Sequence, residues 1–190
     1  MRKWIGVLCV LLGVACLLGA VGVVVYNQWE DENAEKLTQD LLADVQSIMA
    51  EQPLPGDTEI PPEETEVLPD ATEKLPTQMP TVKVGSYDCI GILSIPVLDM
   101  EWPVLTNWSY TKLKKAPCLY YGTYYEKDFV IAAHNYKSHF RKLPQLQAGD
   151  LVIFTDVTGV DHYYEVVLLE TLPPEATLEM ITSGVDLSLY

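Results

Sequence analysis

Basic side chains are scarce in this sequence. It contains 12 Lys and Arg against 27 Asp and Glu, which gives a formal net charge of −15. A surface that binds nucleic acid needs clustered Lys and Arg to neutralise the phosphates. This charge balance therefore argues against nucleic acid as a partner.

The acidic residues are unevenly spread along the chain. Residues 30–74 hold fourteen Asp and Glu and two lysines, whereas residues 81–190 hold thirteen acids and eight Lys and Arg. The excess of negative charge thus belongs mainly to one intermediate segment, and it says little about what the remainder binds.

Clustered metal ligands are lacking as well. The chain has three histidines, and no set of His, Cys or carboxylate residues has the spacing typical of a metal site. We therefore expect neither a metal nor another cofactor.

Cysteines are few, and two of the four lie in the apolar N-terminal run. We interpret Cys9 and Cys16 as small apolar residues of a membrane helix, in preference to sites of acylation. Cys89 and Cys118 remain for the outer part of the chain, which is too few for a disulfide-stapled scaffold. A disulfide between these two stays open, because nothing in the sequence fixes their separation.

The sequence has one long apolar run, at residues 4–26, which contains no charged residue and no proline. About 20 apolar residues suffice to span a bilayer as a helix. Trp4 and Tyr26 bracket the run as interfacial aromatics do. Because residues 1–3 are basic and the far side is acidic, we expect a single-pass anchor in the cell membrane, with a cytoplasmic head and an extracytoplasmic remainder.

Two segments connect this anchor to the folded part. Residues 27–52 carry Leu37, Leu41, Val45 and Ile48 at near-helical spacing, which predicts an amphipathic juxtamembrane helix. This helix could pair with a partner or a second copy, but resting on its own domain or fraying is the favoured alternative. Residues 53–80 hold seven prolines and many glutamates, so they form an extended acidic linker.

Residues 81–190 read as one mainly β domain. Short apolar, β-branched or aromatic runs between turn residues predict strands, and brief helical patterns interrupt them. The predicted strands are residues 89–95, 102–105, 129–133, 151–155, 163–169 and 186–190. The predicted short helices are residues 110–115, 140–146 and 173–180. Many short strands with brief helices indicate a closed β-barrel.

His134 stands where the apolar strand 129–133 ends. A titratable ring at the end of a buried strand is held rigidly and can still face a groove, as an acid–base group requires. From these residues alone, the alternative is that His134 has a structural role as a hydrogen-bonded side chain. We expect His162, on a polar turn, to be exposed to solvent.

Residues 81–190 contain six short motifs: Ile90-Gly91-Ile92-Leu93-Ser94-Ile95-Pro96, Ala132-Ala133-His134-Asn135-Tyr136, His139-Phe140, Leu143-Pro144-Gln145-Leu146, Gly149-Asp150 and Phe154-Thr155-Asp156. In their order and spacing these motifs resemble the sortase family, which comprises membrane-anchored cysteine transpeptidases of Gram-positive bacteria. The resemblance covers about residues 87–190.

This resemblance implies a sortase-like closed β-barrel of eight strands, here incomplete at its C-terminal end. It implies a reaction in which a cysteine attacks the Thr–Gly bond of a Leu-Pro-x-Thr-Gly-like sorting signal. An amine from a cell-wall precursor or a pilin then resolves the acyl-enzyme. The implied partners are surface proteins that carry the signal and the amine acceptor.

The resemblance also implies a role for His134 as the histidine that donates and accepts the proton. The family's nucleophilic cysteine and its arginine correspond to positions beyond Tyr190, so we expect both to be absent from residues 1–190 and the chain to be an inactive fragment. His139 matches a motif position without an assigned role, and Arg141 lies in the wrong segment to replace the arginine.

Two alternatives to this assignment remain open. One is a non-catalytic, membrane-tethered extracytoplasmic module that binds surface proteins. The other is a cysteine hydrolase that pairs His134 with Cys118, which follows Ala116-Pro117 in a predicted loop.

Overall fold

The computed structural model describes residues 2–51, 78–173 and 175–190. The predicted acidic linker at 53–80 lies almost entirely outside the described residues, and so does Pro174 of the predicted helix 173–180.

The first element is one continuous helix, α1 (Arg2–Glu51), of 50 residues. At 1.5 Å per residue it is about 75 Å long, more than twice the thickness of a bilayer core. Near its N-terminus it holds a window of mean hydropathy 2.9 that is long and apolar enough to cross a membrane by length and composition. The predicted anchor at 4–26 and juxtamembrane helix at 27–52 thus run into one another without a break.

The second half of α1 packs against its own domain. Ala34, Thr38, Leu41 and Val45 are buried, and their spacing of four, three and four residues places them on one helix face. That face lies against strands β1, β2 and β3, whose bounds follow. Leu41 and Val45 occur on it as predicted, but Leu37 is exposed, because the buried stripe continues through Thr38 and Ala34.

The strands form one eight-stranded sheet. They are β1 (Val82–Val84), β2 (Tyr87–Ile95), β3 (Met100–Leu105), β4 (Cys118–Tyr121), β5 (Phe129–Ala132), β6 (Leu151–Asp156), β7 (Asp161–Glu165) and β8 (Leu187–Leu189). The helices between them are α2 (Tyr110–Leu113), α3 (Thr177–Ile181) and two 3-10 helices, Pro96–Leu98 and Phe140–Gln145.

The sheet has the strand order β7-β6-β2-β3-β4-β5-β8, with β1 paired to β2. The β3–β4 and β5–β8 pairs are parallel, and the other pairs are antiparallel. Within the described residues β7 and β8 do not pair with each other, so the sheet stays open. The fold is therefore that of an incomplete β-barrel with short helices, as the sequence predicts.

Strand β2 is buried on both faces, which explains its nearly continuous apolar run. Ile90 and Leu93 pack into the barrel interior, whereas Cys89 and Ile92 pack beneath α1. A Cβ on Gly91 would lie 2.2 Å from the Thr155 carbonyl oxygen. Glycine is thus required here by the close approach of β6.

Three sequence predictions need correction in the C-terminal part of the domain. The predicted strand 163–169 is instead β7 (Asp161–Glu165). It ends at Glu165 because that residue is paired with Leu151, the first residue of β6, so the exposed Val167 has no strand beside it. His162 lies on β7 and not on a turn, and its ring is 3.3 Å from the Asp156 carboxylate with only a quarter of the side chain exposed. The predicted helix 173–180 begins later, at Thr177.

Candidate active site

His134 lies in a loop that leaves the sheet directly after β5. The backbone N–H of Ala133 still donates to the Tyr190 carbonyl at 2.7 Å, which fixes the end of β5 beside β8. The chain then turns back, and the Phe140 N–H donates to the His134 carbonyl at 3.4 Å. Trp102 anchors the loop from the core, since its indole N–H donates to the Ser138 carbonyl at 2.6 Å. The loop is thus held at both ends and at its middle.

The His134 ring is stacked on Tyr136. Their centroids are 3.9 Å apart and the ring planes meet at 22°. Nδ1 of His134 is buried and has no hydrogen-bond partner among the described residues. Burial, followed by the nearby Lys114 ammonium, lowers the pKa of His134 below its ordinary value of 6.5. The ring is therefore neutral near pH 7 and able to accept a proton.

Charged side chains surround this ring, and two of them come from α1. Glu30 forms an ion pair with Lys114 at 2.5 Å, and Asp31 faces Arg141 at 3.4 Å. The hydrogen bond from Lys114 lowers the pKa of Glu30, while burial and then Glu30 raise the pKa of Tyr136.

The sequence analysis missed Glu30, Asp31 and Lys114, and it considered Arg141 only as a replacement for the family's arginine. Arg141 Nε donates to the Asn135 carbonyl at 3.1 Å, so this arginine does border the loop. The only sequence signal for Glu30 and Asp31 is their position one helical turn before Ala34 on the buried face of α1.

His139 packs against Tyr136 and is fully buried. Its Nε2 is 2.9 Å from the Thr38 hydroxyl of α1. Burial, together with His134, lowers the pKa of His139 to about 4. This histidine is a neutral core group that joins the loop to the helix.

The two cysteines of the domain are buried free thiols. Cys118 is the first residue of β4 and not part of a loop. Leu105 pairs with Cys89 on one side and with Cys118 on the other, so the two Cα atoms are two strand spacings apart, about 10 Å. This separation exceeds what a disulfide can bridge. Burial raises the pKa of Cys118 to about 12, which leaves very little of the reactive thiolate.

A groove of about 1210 Å³ runs along the open side of the barrel beside the loop. Ala133, Asn135, Phe140, Leu143 and Tyr190 lie among the residues that line it. In the described parts of the chain no group of three His, Cys, Asp or Glu is placed to hold a metal ion. The arrangement therefore offers one neutral imidazole, flanked by charges, at the edge of a largely apolar groove.

A known family model matches most of the β domain. Residues 93–186 match the family model described as "Sortase domain". The domain that contains these residues thus belongs to the sortase family, whose members are cysteine transpeptidases. A search of curated proteins found no match.

Solved structures of sortases are similar to the chain at low identity. Sortase A from Corynebacterium diphtheriae has a TM-score of 0.49 at 20% identity, covering 55% of this chain and 53% of its own. Sortase C from Clostridium perfringens SM101 has a TM-score of 0.46 at 18% identity, covering 84% of this chain and 79% of its own. A sortase D5 transpeptidase from Clostridium perfringens has a TM-score of 0.45 at 21% identity, covering 49% and 61%. The matched part thus spans about half the length of the Corynebacterium protein.

Proposed function

We propose that the chain is part of a sortase-type transpeptidase anchored in the cell membrane by residues 4–26, in which His134 transfers the proton. Its substrates would be surface proteins that end in a Leu-Pro-x-Thr-Gly-like sorting signal. The acceptor would be an amine of a cell-wall precursor or a pilin. The observation that carries this proposal is the register of β8 against the strand that delivers His134.

Strand β8 runs parallel to β5, with Phe129, Val130 and Ile131 opposite Leu187, Ser188 and Leu189. The Tyr190 N–H donates to the Ile131 carbonyl at 3.0 Å, and the Tyr190 carbonyl accepts from Ala133. Tyr190 is thus level with Ala132. If the next residues continued along the end of β5, the second residue after Tyr190 would lie beside the start of the loop that carries His134. The family's cysteine is expected one or two residues after this strand.

A cysteine at that position would bring the two groups of the reaction together. Neutral His134 would take the proton of the cysteine thiol, and the resulting thiolate would attack the threonine carbonyl carbon and form a C–S bond. Collapse of the tetrahedral intermediate would break the Thr–Gly C–N bond, and protonated His134 would give its proton to the leaving glycine amine. Neutral His134 would then take a proton from the incoming amine as it attacks the thioester and releases the thiolate. The largely apolar groove would hold the leucine and proline side chains of the signal.

The test uses the protein with the residues that follow Tyr190 in its native reading frame. The protein is incubated with a Leu-Pro-x-Thr-Gly peptide in the absence of an amine acceptor and analysed by mass spectrometry. We expect an added mass equal to the peptide up to its threonine, on a cysteine after Tyr190. If the native frame stops at Tyr190, or if no adduct forms on a folded protein, the transpeptidase proposal fails. A tethered binding module would then account for the chain better.

A further inference from the structure

One buried contact path joins the membrane-proximal helix to the candidate catalytic ring. It starts at Thr38 of α1, crosses to His139, continues to Tyr136 and ends on His134. Thr38, His139 and Tyr136 are each at least 96% buried. None of the three lines the groove, whereas Ala133 and Asn135, on either side of His134, do.

The Thr38 hydroxyl fixes the first step of this path. Its Oγ1 is 2.8 Å from the Ala34 carbonyl, 2.7 Å from the Lys115 carbonyl and 2.9 Å from His139 Nε2. A hydroxyl has one proton to donate, and both carbonyls can only accept. Donation to a carbonyl and acceptance from a protonated Nε2 of His139 satisfies two of these three contacts, whereas donation to His139 would satisfy one, so the geometry favours the Nε2–H tautomer.

His139 in turn defines the position of Tyr136. The two ring centroids are 5.4 Å apart and the ring planes meet at 58°. The backbone N–H of His139 donates to the Tyr136 carbonyl at 3.0 Å. Tyr136 then stacks on His134 at 3.9 Å. Its hydroxyl has no hydrogen-bond partner in the described part of the chain. Tyr136 is thus held by the packing of its ring rather than by its polar end.

We infer that α1 orients His134 through this path, and that Thr38 and His139 are positioning residues for the catalytic ring. The inference rests on the proposed role of His134. A buried ring nitrogen whose partner is removed must move, change tautomer or pay the cost of an unmet hydrogen bond. Losing the Thr38 hydroxyl would therefore displace His139, and with it the Tyr136 ring that covers His134.

The experiment is NMR on the whole 190-residue chain in detergent micelles, with isotope-labelled histidine. The chain has three histidines, so His139→Gln and His162→Gln assign the spectrum. Tyr136→Leu supplies the His134 ring shifts of an unstacked imidazole. Thr38→Val removes the hydroxyl at nearly constant shape, and Thr38→Ser retains it. Gln46→Ala is the matched control, because it removes another hydrogen bond between α1 and the domain, to Glu101 at 3.1 Å.

We expect Thr38→Val to move the His134 ring signals most of the way to the Tyr136→Leu reference. The ¹⁵N signals of His139 should also lose the pattern of an Nε2–H tautomer. Thr38→Ser and Gln46→Ala should keep both signatures of the parent. If Thr38→Val does not fold, as judged by the Trp102 indole signal, Thr38→Ala tests the same point with room for a water.

Parent-like His134 signals in a folded Thr38→Val or Thr38→Ala variant would overturn the inference. So would an equal displacement in Gln46→Ala, because helix docking in general would then be the cause. No sorting signal or nucleophile enters this measurement. A failed transpeptidase proposal would therefore leave the contact path intact, and a failed contact path would leave the transpeptidase proposal intact.

Discussion

Ala133 donates its backbone N–H to the carbonyl of Tyr190 at 2.7 Å, across the parallel pair of β5 and β8. This bond sets Tyr190, the residue after β8, level with Ala132, two residues before His134. The proposed chemistry depends on this pairing, because it requires a cysteine after Tyr190 to lie close to His134.

A cross-link tests this register directly. Tyr190 is level with Ala132 in the parallel pair, so cysteines at these two positions should have Cα atoms about 5 Å apart. We expect Ala132→Cys/Tyr190→Cys to form a disulfide under mild oxidation, measured by mass spectrometry of peptides. A Cys118→Ala background is needed, because Cys118 pairs with Ala132 on the other side.

The control for this cross-link is Ala132→Cys/Leu187→Cys in the same background. Leu187 is opposite Phe129, three residues away along the strand, so this pair should stay reduced. Equal cross-linking of both pairs would show that β8 has no fixed register.

Much of this region could be predicted from sequence because the relevant signals are local. The apolar run before His134 forms β5, and the three-residue apolar spacing after it forms the 3-10 helix Phe140–Gln145. The contacts of α1 are a different case. Thr38 is polar and Ala34 is small, so hydropathy favoured Leu37 as the buried residue. Thr38 is buried instead because it contacts Lys115 and His139, which are distant in sequence.

The end of β7 could not be predicted for a related reason. An apolar run, Val166 to Leu169, continues past Glu165, but β6 offers no further residue for pairing beyond Leu151. The burial of His139 was likewise invisible, because its partner lies 101 residues earlier in the chain.

The pKa of His134 should respond to Lys114. After burial, the Lys114 ammonium is the next largest cause that lowers the pKa of His134, while Glu30 acts in the opposite direction. Lys114→Gln removes the positive charge and leaves the carboxylate. We expect the pKa of His134, followed by NMR titration, to rise in this variant.

Lys83→Gln is the matched control for this titration, because Lys83 is an exposed lysine on β1. It removes the same charge from the net balance and should leave the pKa of His134 at the parent value. A fall or no change in Lys114→Gln would contradict the electrostatic description of the site.

His139 should make the domain sensitive to acid. Its pKa is lowered from 6.5 to about 4 in the folded state, so the unfolded chain binds the proton more readily. The free energy of unfolding is then fully retained above pH 6.5 and falls as the pH drops towards about 4, by about 3 kcal/mol. Urea titrations in micelles across this range measure the loss.

The matched variant for this prediction is His139→Gln, whose amide can still donate to the Thr38 hydroxyl. It should remove most of the pH dependence between 6.5 and 4. A His139→Gln variant with the parent's pH dependence would assign the acid sensitivity to other groups.

Cys118 should be unreactive in the native state. With its pKa raised to about 12 by burial, its thiolate fraction at pH 8 is about 1,000-fold lower than that of an ordinary thiol. Maleimide labelling followed by peptide mapping should leave Cys118 unmodified until urea unfolds the domain. Rapid labelling of Cys118 in the folded protein would restore the hydrolase alternative, in which this thiol pairs with His134.

The most direct measurement of the central claim is transfer of a Leu-Pro-x-Thr-Gly peptide to an amine by the protein with its native residues after Tyr190. We compare His134→Ala with His162→Ala. His162 is on β7, and its imidazole lies beside the Asp156 carboxylate of β6, outside the candidate site. Loss of general acid–base catalysis should slow transfer by about 10²–10⁴-fold in His134→Ala, with His162→Ala close to the parent. A His134→Ala protein that transfers the peptide at the parental rate would contradict the assignment of His134 as the group that moves the proton.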